Sequence, residues 1–242
     1  MASSNHLPGT TVPPFMIFIG YDPREDAAYN VCRHSLLKHS SIPLHISPIK
    51  QSDLRSSNLY SRDRDTTEST EFSFTRFLTP YLAGFQDGPC LSTAISYTPP
   101  MWPISSVSST IASPSCVYTM KTTKMDGAVQ TVYPRKNWSS MVLYNCGHPK
   151  NRILTPELVS SETGAFLHRF RWLDDEEIGS VPFVWNFLVG HNRVVENDPT
   201  TFPQAIHYTL GGPWFERYKD CEFADLWLKE LEECEKEKKG DN

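Results

Sequence analysis

Three groups of side chains in this sequence are of types and spacings that could do chemistry. The first is His207-Tyr208-Thr209-Leu210-Gly211-Gly212-Pro213-Trp214, a histidine ahead of a glycine turn. A neutral imidazole there could ligate a metal ion, and Gly211 and Gly212 would let backbone amides approach a phosphate. Taken alone, the motif is better read as a strand histidine beside a structural turn. The second is Asp174-Asp175-Glu176-Glu177. Four carboxylates could bind a cation, hold sugar hydroxyls or supply a base, although charge runs are usually solvated faces. The third is Arg76, set among Phe74, Phe77 and Leu78. It is a candidate buried-edge cation for a diphosphate, or an arginine snorkelling off a core helix. Nucleophile-elbow, P-loop and G-x-G-x-x-G patterns do not occur, which removes the usual hydrolase, NTPase and dinucleotide readings.

These residues need a scaffold, and the opening of the chain supplies one. Phe15 to Ile19 is a continuous apolar run, as expected of a strand buried on both faces of a parallel sheet. It ends in Gly20-Tyr21-Asp22-Pro23, with Asp22 as an N-cap and Pro23 in the first turn. Ala28, Val31, Cys32, Ser35 and Leu36 then repeat at helical spacing, and Pro43 to Ile49 reads as a second strand. In an open α/β sheet of this kind, ligands bind beyond the carboxyl ends of the strands, near helix N-termini. Further on, Phe74 to Ala83 reads as a helix pausing near Pro80, and Met141 to Tyr144 as a strand. Pro156 to Ser161 and Phe166 to Leu173 read as helix interrupted at Gly164. Pro182 to Leu188 and Ala205 to Tyr208 are short apolar runs. From Asp220, the residues Phe223, Leu226, Trp227, Leu231 and Cys234 form one helical stripe.

The 242 residues carry a formal charge of −5, which argues against a broad nucleic-acid footprint. Cys32, Cys90, Cys116, Cys146, Cys221 and Cys234 contain no C-x-x-C and suggest neither a disulfide framework nor a zinc site. No apolar run reaches a membrane span, and the polar start lacks a signal-peptide pattern, so a cytoplasmic protein is expected. On that footing Asn137-Trp138-Ser139 is a chance match to a glycosylation acceptor.

One stretch breaks the pattern. Of the 33 residues from Gly88 to Met120 none is charged and 17 are Ser, Thr or Pro, although 21% of the chain is charged. By composition this would be a disordered linker.

Read in order, the segments FIGYDPRE, FTRFLTPYL, SSMVLYN, DDEEIGSVPFVWN and HYTLGGPW resemble a plant member of the nucleotide-diphospho-sugar transferase superfamily. Their layout is similar to that of the glycogenin-like glycosyltransferases with a GT-A fold. The resemblance implies an α/β fold whose mostly parallel sheet is flanked by helices and disrupted in its centre. It implies a tail over 1–14, one domain over 15–232 with 88–120 aberrant, and a charged tail over 233–242. The implied reaction moves a sugar from a nucleotide-diphospho-sugar, a UDP-sugar by analogy, to an acceptor, with Mn²⁺ or Mg²⁺. Tyr21 and Asp22 would then lie at the nucleotide, Arg76 near the nucleotide-sugar, and Ser139 and Ser140 beside the donor sugar. Asp175 and Glu177 would hold sugar hydroxyls, with Asn186 downstream. His207 would ligate the metal and Gly211 would lie near the phosphates, with Gly212 where the family has a lysine.

The resemblance also implies an Asp-x-Asp at the end of a central strand, holding the divalent ion that offsets charge on the departing diphosphate. Its place falls in the uncharged stretch, which contains none. The alternative function is therefore a catalytically inactive relative that binds nucleotide-sugar. A frameshift over about 87–119 accounts for the gap as a hypothesis: codon degeneracy lets residues 86–98, read one frame over, become GWAMFVDCDFLY, an apolar strand ending in Asp-Cys-Asp. Sequencing the transcript across codons 84–122 checks this. Codons compatible with Asp-Cys-Asp in the alternate frame are expected, and codons that cannot encode it there would refute the idea.

Overall fold

The computed structural model describes residues 14–64, 68–93, 115–120 and 136–240, with 115–120 and 136–138 described by their backbone. Among these residues the strands are β1 (Phe15–Tyr21), β2 (Leu44–Lys50), β3 (Pro89–Thr93), β4 (Ser115–Met120), β5 (Lys136–Asn145), β6 (Ile178–Ser180), β7 (Phe187–Leu188) and β8 (Ile206–His207). Six form one sheet in the order β2-β1-β3-β5-β4-β6, and β7 and β8 pair separately. β1 runs parallel to β2 and β3, and β4 parallel to β6, whereas β5 is antiparallel to both of its neighbours. The mostly parallel α/β sheet is as expected.

The apolar run of β1 is continuous because both faces of the sheet are covered. Ile17 and Ile19 join Leu91, Met141 and Leu143 in a cluster under Ala28, Cys32 and Leu36 of helix α1 (Asp26–His39). Phe18, Cys90, Val142 and Tyr144 point the other way, into a cluster with Phe77, Leu78, Leu154, Val159, Leu167 and Phe170. This alternation along three adjacent strands is the two-residue period of the pleat. Pro48 is tolerated because β2 is an edge strand.

The remaining helices are α2 (Gln51–Ser56), α3 (Thr79–Leu82, extending the 3-10 turn Thr75–Leu78), α4 (Pro156–Ser161), α5 (Gly164–His168) and α6 (Ala224–Gly240). Thr155 caps α4 and Thr163 caps α5, each through its side-chain oxygen, so the helix expected to pause at Gly164 is two short capped helices. α6 continues through most of the charged segment 233–242 expected as a tail, and its apolar stripe packs against α1.

The uncharged stretch differs from the expectation of a disordered linker and a disrupted sheet centre. Pro89–Thr93 occupies the slot between β1 and β5, pairing Ile17 with Leu91 on one side and Leu91 with Leu143 on the other. Residues 115–120 form β4. Ladder hydrogen bonds use backbone groups alone, so an uncharged Cys-Leu-Ser-Thr run can fill a central slot without a legible period. Cys90 and Cys146 meet there and form a disulfide, with Cα atoms 6.3 Å apart, so these two are not the free thiols expected of a reducing compartment. Residues 94–114 and the expected tail up to 13 lie outside the described residues.

If Pro89–Thr93 is a core strand, Leu91→Ala should cost about 2–5 kcal/mol by urea denaturation, as a large-to-small change at a buried site does. A loss below about 0.5 kcal/mol, typical of a surface position, would exclude the strand from the core.

Candidate functional site

The parallel strands bring their carboxyl ends to one edge of the sheet. Tyr21 ends β1 opposite Lys50, which ends β2, and Thr93 ends β3. Antiparallel β5 delivers its first half to the same edge, since Thr93 pairs with Met141 and Ser139 and Ser140 lie just beyond. The β4–β5 register shifts there, with Val117 opposite Val142 but Thr119 opposite Asn137. Ser139 and Ser140 sit within this irregularity, the kind of bulge that re-aims side chains beside sites.

Arg76 is the centre of the arrangement. Its Nε donates to the Phe72 carbonyl at 2.8 Å and its Nη1 to the Ser139 carbonyl at 2.7 Å, while its guanidinium lies 5.1 Å from the Phe72 ring centroid. Burial pushes its pKa down to about 10. Among the described residues no carboxylate lies within ion-pair distance of it. Phe72 is placed by Gly20: a Cβ at that position would come within 2.4 Å of the Phe72 ring, so only glycine lets the ring cross the end of β1.

Two histidines lie in the field of this cation. His168 Nδ1 is 2.8 Å from Ser139 Oγ, and its ring packs against Phe74 and Phe77. Burial first, then the charges of Arg76 and Arg62, push its pKa down to about 3. His207, at the end of β8, is likewise pushed down to about 3 by burial, then by Arg76 and His191. Both are neutral imidazoles at neutral pH. Buried Asn186, just before β7, exchanges hydrogen bonds with Ser140 at 3.0 and 3.3 Å. Arg76, Ser139, Ser140, Asn186 and His207 are thus parts of one neighbourhood. His168 belongs to it too, and sequence reasoning missed it; a lone histidine within Phe166-Leu167-His168-Arg169-Phe170 was the available signal.

The other expected residues stand in different situations. Asp22 is fully buried and its carboxylate is occupied: Oδ1 accepts from Arg24 N and Nε at 3.0 Å each, and Oδ2 from Arg24 Nη2 at 2.6 Å and Glu71 N at 3.3 Å. Burial raises its pKa, but these hydrogen bonds outweigh that and hold it below the usual range. It fixes the turn after β1 rather than presenting a carboxylate. Tyr21 keeps a partly exposed ring, with its hydroxyl on Asp26 at 2.9 Å and the Lys50 ammonium 4.8 Å from its centroid. Glu177 is spent in a capping box with Asp174, and Lys150 bridges both carboxylates at 2.7 and 2.8 Å, which keeps both pKa values low. Asp175 is exposed on the same turn.

Gly211 has φ +128°, and a Cβ there would come within 2.7 Å of Tyr218. At Gly212 a Cβ would come within 2.1 Å of the Trp214 ring. The indole thus excludes a lysine from that position. Ser92 and Thr93 occupy the end of β3, where the resemblance places aspartates. The chain's one Asp-x-Asp, Asp63-Arg64-Asp65, falls on the loop after α2, and Asp65 lies outside the described residues. His207 fits a metal as a neutral ligand, but no carboxylate pair accompanies it among the described residues. Those residues alone do not make a divalent-metal site.

Comparison with known proteins places this geometry. No family model matches the chain. It is 64% identical over 231 residues to Protein CDI of Arabidopsis thaliana, covering 93% of this chain and 89% of that protein. Three solved structures share its fold. The apo-form glycosyltransferase GlyE of Streptococcus pneumoniae TIGR4 has a TM-score of 0.58 at 14% identity over 90% of this chain. The bifunctional glycosyltransferase WbbM gives 0.62 at 12% over 93%, and the galactosyltransferase LgtC, solved with donor and acceptor sugar analogues, gives 0.59 at 10% over 90%. The chain spans 60% of GlyE, 50% of WbbM and 96% of LgtC. The fold is that of the GT-A glycosyltransferases.

The neutral histidines have a pH consequence. Between about pH 6.5 and 3 the unfolded chain binds protons that the folded chain does not, so stability falls as pH drops through that window. The slope is up to about 1.4 kcal/mol per pH unit for each histidine. His168→Gln should flatten the decline measured by urea denaturation between pH 7 and 4.5; a decline parallel to that of the unaltered chain would remove His168 as its source.

Proposed function

Because this chain belongs to the family of Protein CDI and carries the GT-A fold, we propose that it handles a nucleotide-diphospho-sugar and transfers its glycosyl unit to an acceptor. The observation that carries this reading is Arg76, a desolvated guanidinium with no carboxylate in ion-pair reach among the described residues, at the carboxyl edge of the sheet. Burying a cation is costly unless an anion meets it. A diphosphate is an anion whose oxygen pairs suit a guanidinium fork, as the GT-A fold's donor would supply. With His168 and His207 neutral, Arg76 is the central charge of the site among the described residues, and the site favours an anionic ligand at neutral pH.

In this reading Arg76 binds the diphosphate, and the partly exposed Tyr21 ring offers a surface to the base, with Lys50 alongside. Ser140 and Asn186, already tied together, hold donor-sugar hydroxyls. Asp175 is assigned to the same task, and Gly211 lets backbone approach the phosphates. Asp22 and Glu177 act as positioning residues that hold their turns. A divalent ion, when bound, would offset charge on the leaving diphosphate. His207 is the one described residue here suited to hold it, and no step is assigned through the ion. A UDP-sugar is the donor we put forward, by analogy with the family.

A second reading, binding of nucleotide-sugar without turnover, is favoured by Ser92-Thr93 at the end of β3. A frameshifted segment is also proposed: the end of β3 is where the alternate frame would place Asp-Cys-Asp, and that coincidence supports it.

The test is calorimetric titration of the 242-residue chain with UDP, alongside a UDP-sugar turnover assay with Mn²⁺. Arg76→Met should weaken UDP binding about 10- to 150-fold, the worth of charge-assisted hydrogen bonds. Turnover supports the first reading, and Arg76-dependent binding without turnover supports the second. Absence of UDP binding, or equal binding by Arg76→Met, contradicts both.

A further inference from the structure

Away from the sheet edge, α1 and α6 pack together and gather a group of ionisable side chains, buried at His34 and Glu230, that the proposed reaction does not use. His34 and His39 come from α1, and Glu230, Glu233 and Glu237 from α6. Residues three and seven apart on a helix share a face, so α6 aims all three carboxylates at α1. Glu230 is 3% exposed and His34 8% exposed. His34 Nε2 and Glu230 Oε1 face each other at 3.4 Å, and neither atom has a hydrogen-bond partner. On the opposite side of the ring, His34 Nδ1 is 3.1 Å from Glu237 Oε2. Lys38 sits against Glu230 at 3.5 Å and contacts Glu233, and His39 Nε2 is 3.5 Å from the Glu230 carboxylate.

Two buried polar atoms without hydrogen bonds should not be left facing each other. With the proton on Nδ1, directed at Glu237, the Nε2 lone pair confronts a carboxylate oxygen, an arrangement that calls for a cation between them. The spacing suits one. Tetrahedral zinc with bonds of about 2.0–2.1 Å puts neighbouring ligand atoms about 3.3–3.4 Å apart, which is the observed Nε2–Oε1 separation. One ligand atom from each of His34, Glu230 and Glu233 falls within 4.8 Å of the other two. Glu237 on the far ring nitrogen is the outer partner that fixes the tautomer of a metal-bound histidine.

We propose that His34, Glu230 and Glu233 form a zinc-class divalent metal site clasping α1 to α6, with Glu237 orienting His34. Two carboxylates and a neutral imidazole balance a dication, and imidazole with carboxylate suits zinc rather than magnesium or calcium. Lys38, partly exposed, holds the place of the cation in the metal-free chain and swings out on binding. His39 stays against the Glu230 carboxylate and is a candidate fourth ligand. This site is separate from the one built on Arg76 and does not depend on that reading.

The test uses the tag-free 242-residue chain, titrated with Zn²⁺ by calorimetry and with Co²⁺ by visible absorption. One Zn²⁺ per chain, an intense tetrahedral Co²⁺ band and a Zn²⁺-dependent rise in melting temperature are expected. Glu233→Gln, at a partly exposed position that leaves the fold intact by circular dichroism, should weaken Zn²⁺ at least tenfold, and His34→Ala should abolish the Co²⁺ band. Lys38→Met should tighten Zn²⁺ at least threefold by removing the competing cation, which a purely structural ion-pair cluster would not do. His207→Ala should leave this binding unchanged. Absence of Zn²⁺ binding would overturn the proposal. So would Zn²⁺ binding indifferent to both Glu233→Gln and His34→Ala.

Discussion

The pairing of β3 with β1 on one side and β5 on the other is the interaction on which the rest of the structure depends. Through it both core clusters become continuous: Leu91 links Ile17 to Leu143 on the α1 face, while Cys90 lies between Phe18 and Tyr144 on the other. It also sets the antiparallel offset that carries Ser139 and Ser140 past Thr93 to the carboxyl edge. Without β3 the edges of β1 and β5 would be open, and the serines would have no fixed relation to Tyr21 and Arg76.

Around that frame the site is organised by one charge. Arg76 is held by two backbone carbonyls, which take its Nε donor and one Nη1 donor without neutralising it. Its field, added to burial, keeps His168 and His207 uncharged. Two of the carboxylates expected at the site have partners of their own: Arg24 grips Asp22, and Lys150 with the capping box takes Glu177. Among the described residues no carboxylate neutralises this cation, and that geometry supports the proposed anionic ligand.

Much of this was legible in the residues. The unbroken apolar run Phe15–Ile19 announced a strand covered on both faces, and the order of motifs announced the GT-A layout. Arg76 stood out as a cation among aromatics. The segment 89–93 was not legible, because ladder bonds are made by backbone and leave no trace in side-chain period. The fate of Asp22 and Glu177 was hidden too, since a carboxylate's availability depends on partners such as Arg24 and Lys150 whose reach is set by turn geometry. The tie between Ser139 and His168 joins residues 29 apart through a bulge that only the β4–β5 register reveals. That Gly212 stands where the resemblance implies a lysine could be seen, but the Trp214 ring lying over that position could not.

The central claim is that Arg76 marks where a nucleotide diphosphate sits. A crystal structure of the chain grown with UDP tests it most directly. Diphosphate oxygens are expected within hydrogen-bond distance of the Arg76 guanidinium, beyond the carboxyl ends of β1, β2 and β3. Density for UDP elsewhere on the molecule, with Arg76 still bound only to the Phe72 and Ser139 carbonyls, would contradict it.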